Sequence, residues 1–184
     1  GCMVFIAGVI YFAIPSRQPT HKTTYFKLLK SLKQLMISQP VLRQRSLFQA
    51  LMFASFSLFW TSVPVVLARE YGLSQSEIAL FALVGAAGAV AAPIVGRLAD
   101  KGYTHQVSLL AKVIAAVCFL PSLFELPYGI VILALTGVFI DFAVQANMVL
   151  GQRAVYALEP QSRARLNAIY MTSIFVGGAV GSLI

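Results

Sequence analysis

Charge is what this sequence has least of. Only 11% of its 184 residues are Asp, Glu, Lys or Arg, whereas a water-soluble domain carries about a quarter. So few charges cannot cover a water-exposed surface, which excludes an ordinary soluble domain. Acidic residues are the scarcer sign, six against fourteen basic ones. The two cysteines, Cys2 and Cys118, both lie in apolar runs and read as free buried thiols. No Cys/His spacing resembles a metal site, and no nucleophile sits with a base. A membrane enzyme is therefore disfavoured, and no metal or other cofactor is expected. No signal-peptide layout is visible. The first residue is Gly, and apolar sequence reaches both ends, so the chain is expected to be a piece of a longer protein.

What is present is apolar sequence, 59% of the chain, with a mean hydropathy of +0.82. Apolar runs of roughly 18 to 20 residues cross a bilayer. Residues 1–14 are apolar but too short to span comfortably, and Pro15 and Pro19 end them. A linker over 15–45 follows. In it Tyr25, Leu28, Leu29, Leu32, Leu35 and Met36 recur at helical spacing, with Lys27, Lys30 and Lys33 opposite. This amphipathic helix is expected on the membrane surface, and Pro40 to stop it. Counting the partial segment 1–14 as the first, the second span is expected over about Leu47–Leu67, the third over Ile78–Val95, the fourth over Val107–Leu126, the fifth from Pro127–Gly129 to about Leu150, and the last from about Leu166 to Ile184. Ser74 and Glu77 have capping-box spacing at the head of the third. Gly88, Ala92 and Gly96 fall at intervals of four, as do Gly177 and Gly181, which predicts close helix packing. Pro93 is expected to kink the third span.

The position of the charges orients this layout. Seven of the fourteen basic residues lie between Arg17 and Arg45, with no acidic residue among them. Placing that linker in the cytoplasm puts twelve of the fourteen on one side, leaving Arg69 outside and Lys112 within a span. Glu70, Glu77 and Glu125 fall in the outer loops. Alternate loops thus follow the positive-inside rule. Nucleic-acid binding is not expected, because the linker lacks aromatic platforms beyond Tyr25 and Phe26.

The third and fourth spans are joined by Gly96-Arg97-Leu98-Ala99-Asp100-Lys101-Gly102-Tyr103-Thr104-His105. The order Gly-x-Leu-Ala-Asp-Lys resembles the loop signature of the major facilitator superfamily. The match degrades after Lys101, where the second glycine comes one place early and Tyr103-Thr104-His105 replaces a basic pair. The stretch from Gly151 to Asn167, with Tyr170-Met171 and Gly177-Gly178-Ala179, is also similar to bacterial facilitators of the drug:proton antiporter group. The resemblance implies an all-α polytopic membrane bundle, the C-terminal half of a facilitator. Residues 1–14 would be the end of helix six, 15–45 the central linker, and 46–184 helices seven to eleven, with helix twelve missing. It implies alternating access in a bacterial inner membrane, proton-coupled efflux of drug-like or metabolite compounds, and a missing N-terminal half as partner. The alternative is a non-transporting fragment of such a protein.

Within the spans, Asp141 is the chief candidate. Gln145 lies one turn on and Gly137 one turn before. A carboxylate in a membrane helix faces a cavity or a partner, and Asp141 lies about 13 Å from the cytoplasmic end of its span. Substrate or proton site and structural anchor are both open readings. Lys112 has a similar depth, so a pair with Asp141 is possible, but the resemblance implies that its helix lies at the lipid-facing edge, which favours snorkelling. Gln49, Phe53, Ser57 and Trp60 share one helix face and are the candidate cavity wall. His21 and His105 read as solvated loop residues. From the resemblance, Gly96, Arg97, Asp100 and Lys101 form a gate loop. Asp100, at a helix C-terminus where an anion is poorly placed, is expected to have no partner here beyond its own loop.

Overall fold

The computed structural model describes residues 2–13, 24–88, 90–124 and 128–184. The expectations for Pro15, Pro19, His21 and Glu125 lie outside the described residues. The regular elements among the described residues are all helical. The chain divides into two units, residues 1–31 and 32–184. The first unit holds α1 (Cys2–Ala13) and the start of α2 (Tyr25–Ser38). At 12 residues, α1 is only about 18 Å long, short of a bilayer core.

The second unit is a bundle. Its helices are α3 (Pro40–Arg69), α4 (Gln75–Phe81), α5 (Leu83–Gly88), α6 (Ala91–Asp100), α7 (Thr104–Val117), α8 (Gly129–Leu158) and α9 (Arg163–Leu183). Five stretches are long and apolar enough to cross a membrane, namely Pro40–Arg69, Gln75–Asp100, Thr104–Leu123, Gly129–Leu158 and Pro160–Leu183. This is a multi-pass membrane bundle.

Prolines set most of the boundaries that hydropathy misplaced. Pro40 opens α3 as well as closing α2, because a first-turn residue needs no N–H partner and proline's φ already suits a helix. The preceding Gln39 is extended, as a residue before proline tends to be. Arg43 and Arg45 therefore sit within α3, whose helix starts seven residues before the expected Leu47. Pro121 meets the end of α7, where its ring would clash with the Val117 carbonyl, and the fourth span finishes as a 3-10 turn over Leu120–Leu123. The Cys118 carbonyl left over accepts from Thr136 Oγ1 at 3.0 Å. The expected polar loop from Gly151 to Arg165 is mostly helix. α8 continues to Leu158, burying Val155, and stops at the extended Glu159 before Pro160.

The third span is broken rather than kinked at Pro93. It is cut at Ala82 and again before Ala91, and Pro93 sits in the tolerant first turn of α6. Its head carries the expected capping box. Ser74 N–H donates to Glu77 Oε2 at 2.8 Å, and Glu77 N–H donates back to Ser74 Oγ at 3.4 Å.

Two apolar clusters hold the bundle. One gathers Phe59, Val63 and Leu67 of α3 with Ile140, Val144 and Leu150 of α8 and Val95 and Ala111. The other joins Leu35 and Leu42 to Val155, Leu166, Tyr170 and Ile174. Leu32, Leu35 and Met36 of the amphipathic helix thus pack on protein, while Lys27, Lys30 and Lys33 are exposed. α9 lies along α3 as Gly177 and Gly181 predict. A Cβ at either would strike the carbonyl of Ala50 or of Ala54. The other small-residue stripe is only partly used. Gly88 abuts α8, but a Cβ on Gly96 would meet nothing within 4 Å.

Candidate functional site

α8 presents Asp141 to the inside of the bundle, where it is 7% exposed. Trp60 of α3 donates its indole N–H to Asp141 Oδ1 at 2.8 Å. The two residues are 81 apart in sequence and reach each other because α5 leaves room. A Cβ on Gly85 would lie 2.7 Å from Asp141 Oδ2 and 2.9 Å from the Trp60 ring, and one on Gly88 would collide with Asp141 Cβ. Both glycines let α5 approach α8 at backbone distance. One turn beyond Trp60, Pro64 has no N–H to donate to the Trp60 carbonyl, which loses its helical partner beside the site.

Asp141 borders a cavity of about 150 Å³ with Phe53, Phe56, Gly85, Gln145 and Met148. A row of aromatic rings extends from its wall. Phe53 stacks on Phe56 at 5.2 Å, Phe56 lies 6.5 Å from Trp60, and Trp60 meets Phe81 edge-on at 6.4 Å. Asp141, Gln145, Phe53 and Trp60 are thereby brought together. Ser57 is half-buried and does not line this cavity.

Gln49 does not line it either, and this corrects the expectation for that face. Gln49 is fully buried in a separate chain of hydrogen bonds. Arg45 Nη1 donates to Ser108 Oγ at 2.6 Å, and Ser108 donates to Asn147 Oδ1 at 3.1 Å. Asn147 donates to Gln49 Oε1 at 2.6 Å, and Gln49 donates to the Val144 carbonyl at 3.2 Å. Every bond points the same way, from a cation to a helix backbone. The chain ties α3, α7 and α8 together about two turns from Asp141. Asn147 and Ser108 were missed from sequence. The available signal was an amide six residues after Asp141 within a membrane span, since polar groups at that depth need partners.

Lys112 does not pair with Asp141. Its ammonium sits 4.4 Å above the Phe48 ring of α3, a cation–π contact.

The loop residues divide differently from expectation. Asp100 does have a partner beyond its own loop. Arg153, at the far end of α8, donates Nη2 to Asp100 Oδ1 at 2.5 Å and Nη1 to the Gly96 carbonyl at 3.2 Å. One guanidinium neutralises both the misplaced anion and the negative end of α6. The Asp100 and Arg153 side chains are 66% and 49% exposed, so the pair contributes about 0 to 1 kcal/mol. Arg97 and Lys101 are exposed beside it, and Gly102 has φ +88, a conformation glycine adopts without strain. Arg153 was missed because 53 residues separate it from Asp100.

No solved structure matches the chain. It is 36% identical over 189 residues to the "Putative uncharacterized transporter YgaY" of Escherichia coli K12, covering 99% of this chain and 46% of that protein. It is 31% identical over 176 residues to the "Probable transporter SCO4007" of Streptomyces coelicolor, covering 93% of this chain and 40% of that one. The chain thus spans about half the length of the curated relatives it matches. The sequence profile described as Major Facilitator Superfamily matches residues 1–184. With its all-helical multi-pass bundle, this chain belongs to the major facilitator superfamily.

Proposed function

We propose that this chain is the C-terminal part, helices seven to eleven, of a secondary transporter that moves a small solute by alternating access. Asp141 is its proton-coupling or cargo-contacting group. The observation that carries this reading is the Asp141 carboxylate, held by one indole N–H at the edge of a cavity inside a membrane bundle. A carboxylate at that depth needs a partner, and Trp60 supplies one that a proton or a cationic cargo can replace. The aromatic row from Phe53 to Phe81 suits amphipathic, drug-like or metabolite cargo. Coupling to protons and outward movement remain part of this proposal, as do protons and a separate N-terminal half as partners. The mechanism is rocking of this bundle against that half. Gly96, Arg97, Asp100 and Lys101 form the gate loop, with Arg153 as its latch.

A bacterial inner membrane with the 15–45 linker in the cytoplasm is part of this proposal, supported by the one-sided distribution of Lys and Arg. Single cysteines at Ser31, Tyr71 and Gln161, without Cys2 and Cys118, test this. An impermeant thiol reagent should label only Tyr71→Cys from outside, and labelling of the other two in intact cells overturns the topology.

The functional test is proton-gradient-driven flux in vesicles holding the full gene product. Asp141→Asn should lose gradient-driven flux by at least about a hundredfold, as losing an essential proton carrier does, at unchanged abundance. Retained flux would return Asp141 to a structural role.

A further inference from the structure

Where α5 passes the Trp60–Asp141 bond it has only backbone, at Gly85 and Gly88. α5 begins just after the cut at Ala82, and Gly85 N–H donates to the Ala82 carbonyl three residues back at 3.2 Å. From that first turn the Gly85 backbone faces both ends of the bond. A Cβ there would lie 2.7 Å from Asp141 Oδ2, 2.9 Å from Trp60 Cζ2 and 3.4 Å from Trp60 Cη2. Gly88 faces something else. A Cβ there would collide with Asp141 Cβ and lie 3.1 Å from the Asp141 carbonyl carbon and from Phe142 N. Gly88 therefore sets the distance between α5 and α8, whereas Gly85 borders the movable tips of the pair.

Other rings confine the indole. Phe59 meets it edge-on at 5.4 Å, Phe81 edge-on at 6.4 Å, and Phe56 lies tilted at 6.5 Å. A carbon–carbon contact settles at about 3.5 to 4.0 Å, so a methyl group on Gly85 would have to displace the ring by roughly 1 Å. The carboxylate would have to move as well. These are the two ends of one hydrogen bond, and such bonds weaken steeply as their angle departs from linear. Few polar neighbours remain. Among the described residues Asp141 accepts only from Trp60. α5 has no ionisable side chain, and those of α3, Arg43, Arg45 and Arg69, are all more than two turns from Trp60. Glu77 of α4 is held by Ser74, and Gln145 of α8 is the other polar side chain at the cavity.

We propose, resting on the reading of Asp141 as the transport carboxylate, that Gly85 is a positioning residue of that site. Its bare backbone is the wall that keeps the Trp60 indole aimed at Asp141 Oδ1. It also leaves Oδ2 unobstructed beside the cavity, which Gly85 lines. α5 thereby helps to set the proton affinity of Asp141, acting through Trp60.

The test is infrared titration of the full gene product in reconstituted membranes. Protonated Asp141 is read from the carboxylic acid carbonyl band that Asp141→Asn lacks. Trp60→Phe and Gly85→Ala should each move the midpoint of that titration in the same direction. The expected shift is roughly one pH unit, since losing a charge-assisted hydrogen bond changes proton affinity about tenfold. The double variant should titrate with Trp60→Phe alone, because one bond is not lost twice. An unmoved midpoint in Gly85→Ala, or shifts that add in the double variant, would overturn the proposal. Trp60→Phe also removes the rim of the indole that the new methyl would strike. If Gly85→Ala does not fold, adding Trp60→Phe should therefore restore folded protein, and an equally unfolded double variant would overturn the proposal too. Flux does not enter this readout. Transport retained in Asp141→Asn would end the transport reading, and the infrared midpoints would still decide whether Gly85 positions the pair.

Discussion

Two polar contacts join α3 to α8, and they differ in how fully they are satisfied. At Gln49 and Asn147, both buried amides are bonded within the protein, and Ser108 and Arg45 extend the chain. At Trp60 and Asp141, a single hydrogen bond serves a carboxylate with two oxygens, beside a cavity of about 150 Å³. A closed, satisfied network fixes geometry, because each member loses more by leaving than by staying. A half-satisfied carboxylate next to open space is free to exchange its partner. Under the proposed function, the first contact holds the helices and the second serves transport.

Substitutions on either side separate the two contacts. The largest effect is expected where the seam itself is forced apart. Gly88→Leu would drive a side chain into Asp141 and the Phe142 backbone and should cost about 3 kcal/mol or more. Size-exclusion of detergent extracts should show loss of monodisperse protein, and a well-folded variant would contradict the close approach of α5. Asn147→Leu comes next. It leaves Gln49 Oε1 without its donor and the Ser108 hydroxyl without its acceptor, at about 2 to 4 kcal/mol. The double change Gln49→Leu with Asn147→Leu should lose less than the two single losses added, since both partners go together. Thermal melts of all three in detergent measure this, and strict additivity would deny the network.

Trp60→Phe is milder. It keeps an aromatic ring and removes the N–H, for about 1 kcal/mol, yet it should displace the pH profile of flux. Asn147→Leu should lower the yield of folded protein and leave that profile in place. If both variants shift the profile alike, the division of labour fails. Arg153→Gln should be smallest in stability, within about 1 kcal/mol of the parent because the pair is exposed. It should still raise the labelling rate of Gln145→Cys from the side on which α3 begins. A large melting shift, or unchanged labelling, would remove Arg153 from the gate.

The spans were legible because hydropathy is additive along a chain. Their ends were less so, because Pro40, Pro121 and Pro160 act through backbone geometry that a hydropathy window does not register. Asp141 stood out as the one carboxylate inside a span, and Trp60 as a ring on the right face of α3. Their contact was not legible. It depends on Gly85 and Gly88 bringing a broken helix against α8, and a helical spacing does not show which glycine meets which neighbour. The same limit hid Asn147, Ser108 and Arg153, whose partners lie 39 to 98 residues away.

Trp60 is the one tryptophan in this chain, so its emission reports directly on the Asp141 bond. The decisive measurement is Trp60 fluorescence against pH in the membrane-reconstituted protein, with any tryptophan elsewhere in the full gene product changed to phenylalanine. Protonating Asp141 converts the charged acceptor of the indole N–H into a neutral one, and charge-assisted bonds are roughly twice as strong as neutral ones. A single sigmoidal change in emission is expected, absent in Asp141→Asn and kept in Asn147→Leu at temperatures where that variant stays folded. A flat response in the parent protein, or the same sigmoid in Asp141→Asn, would contradict it.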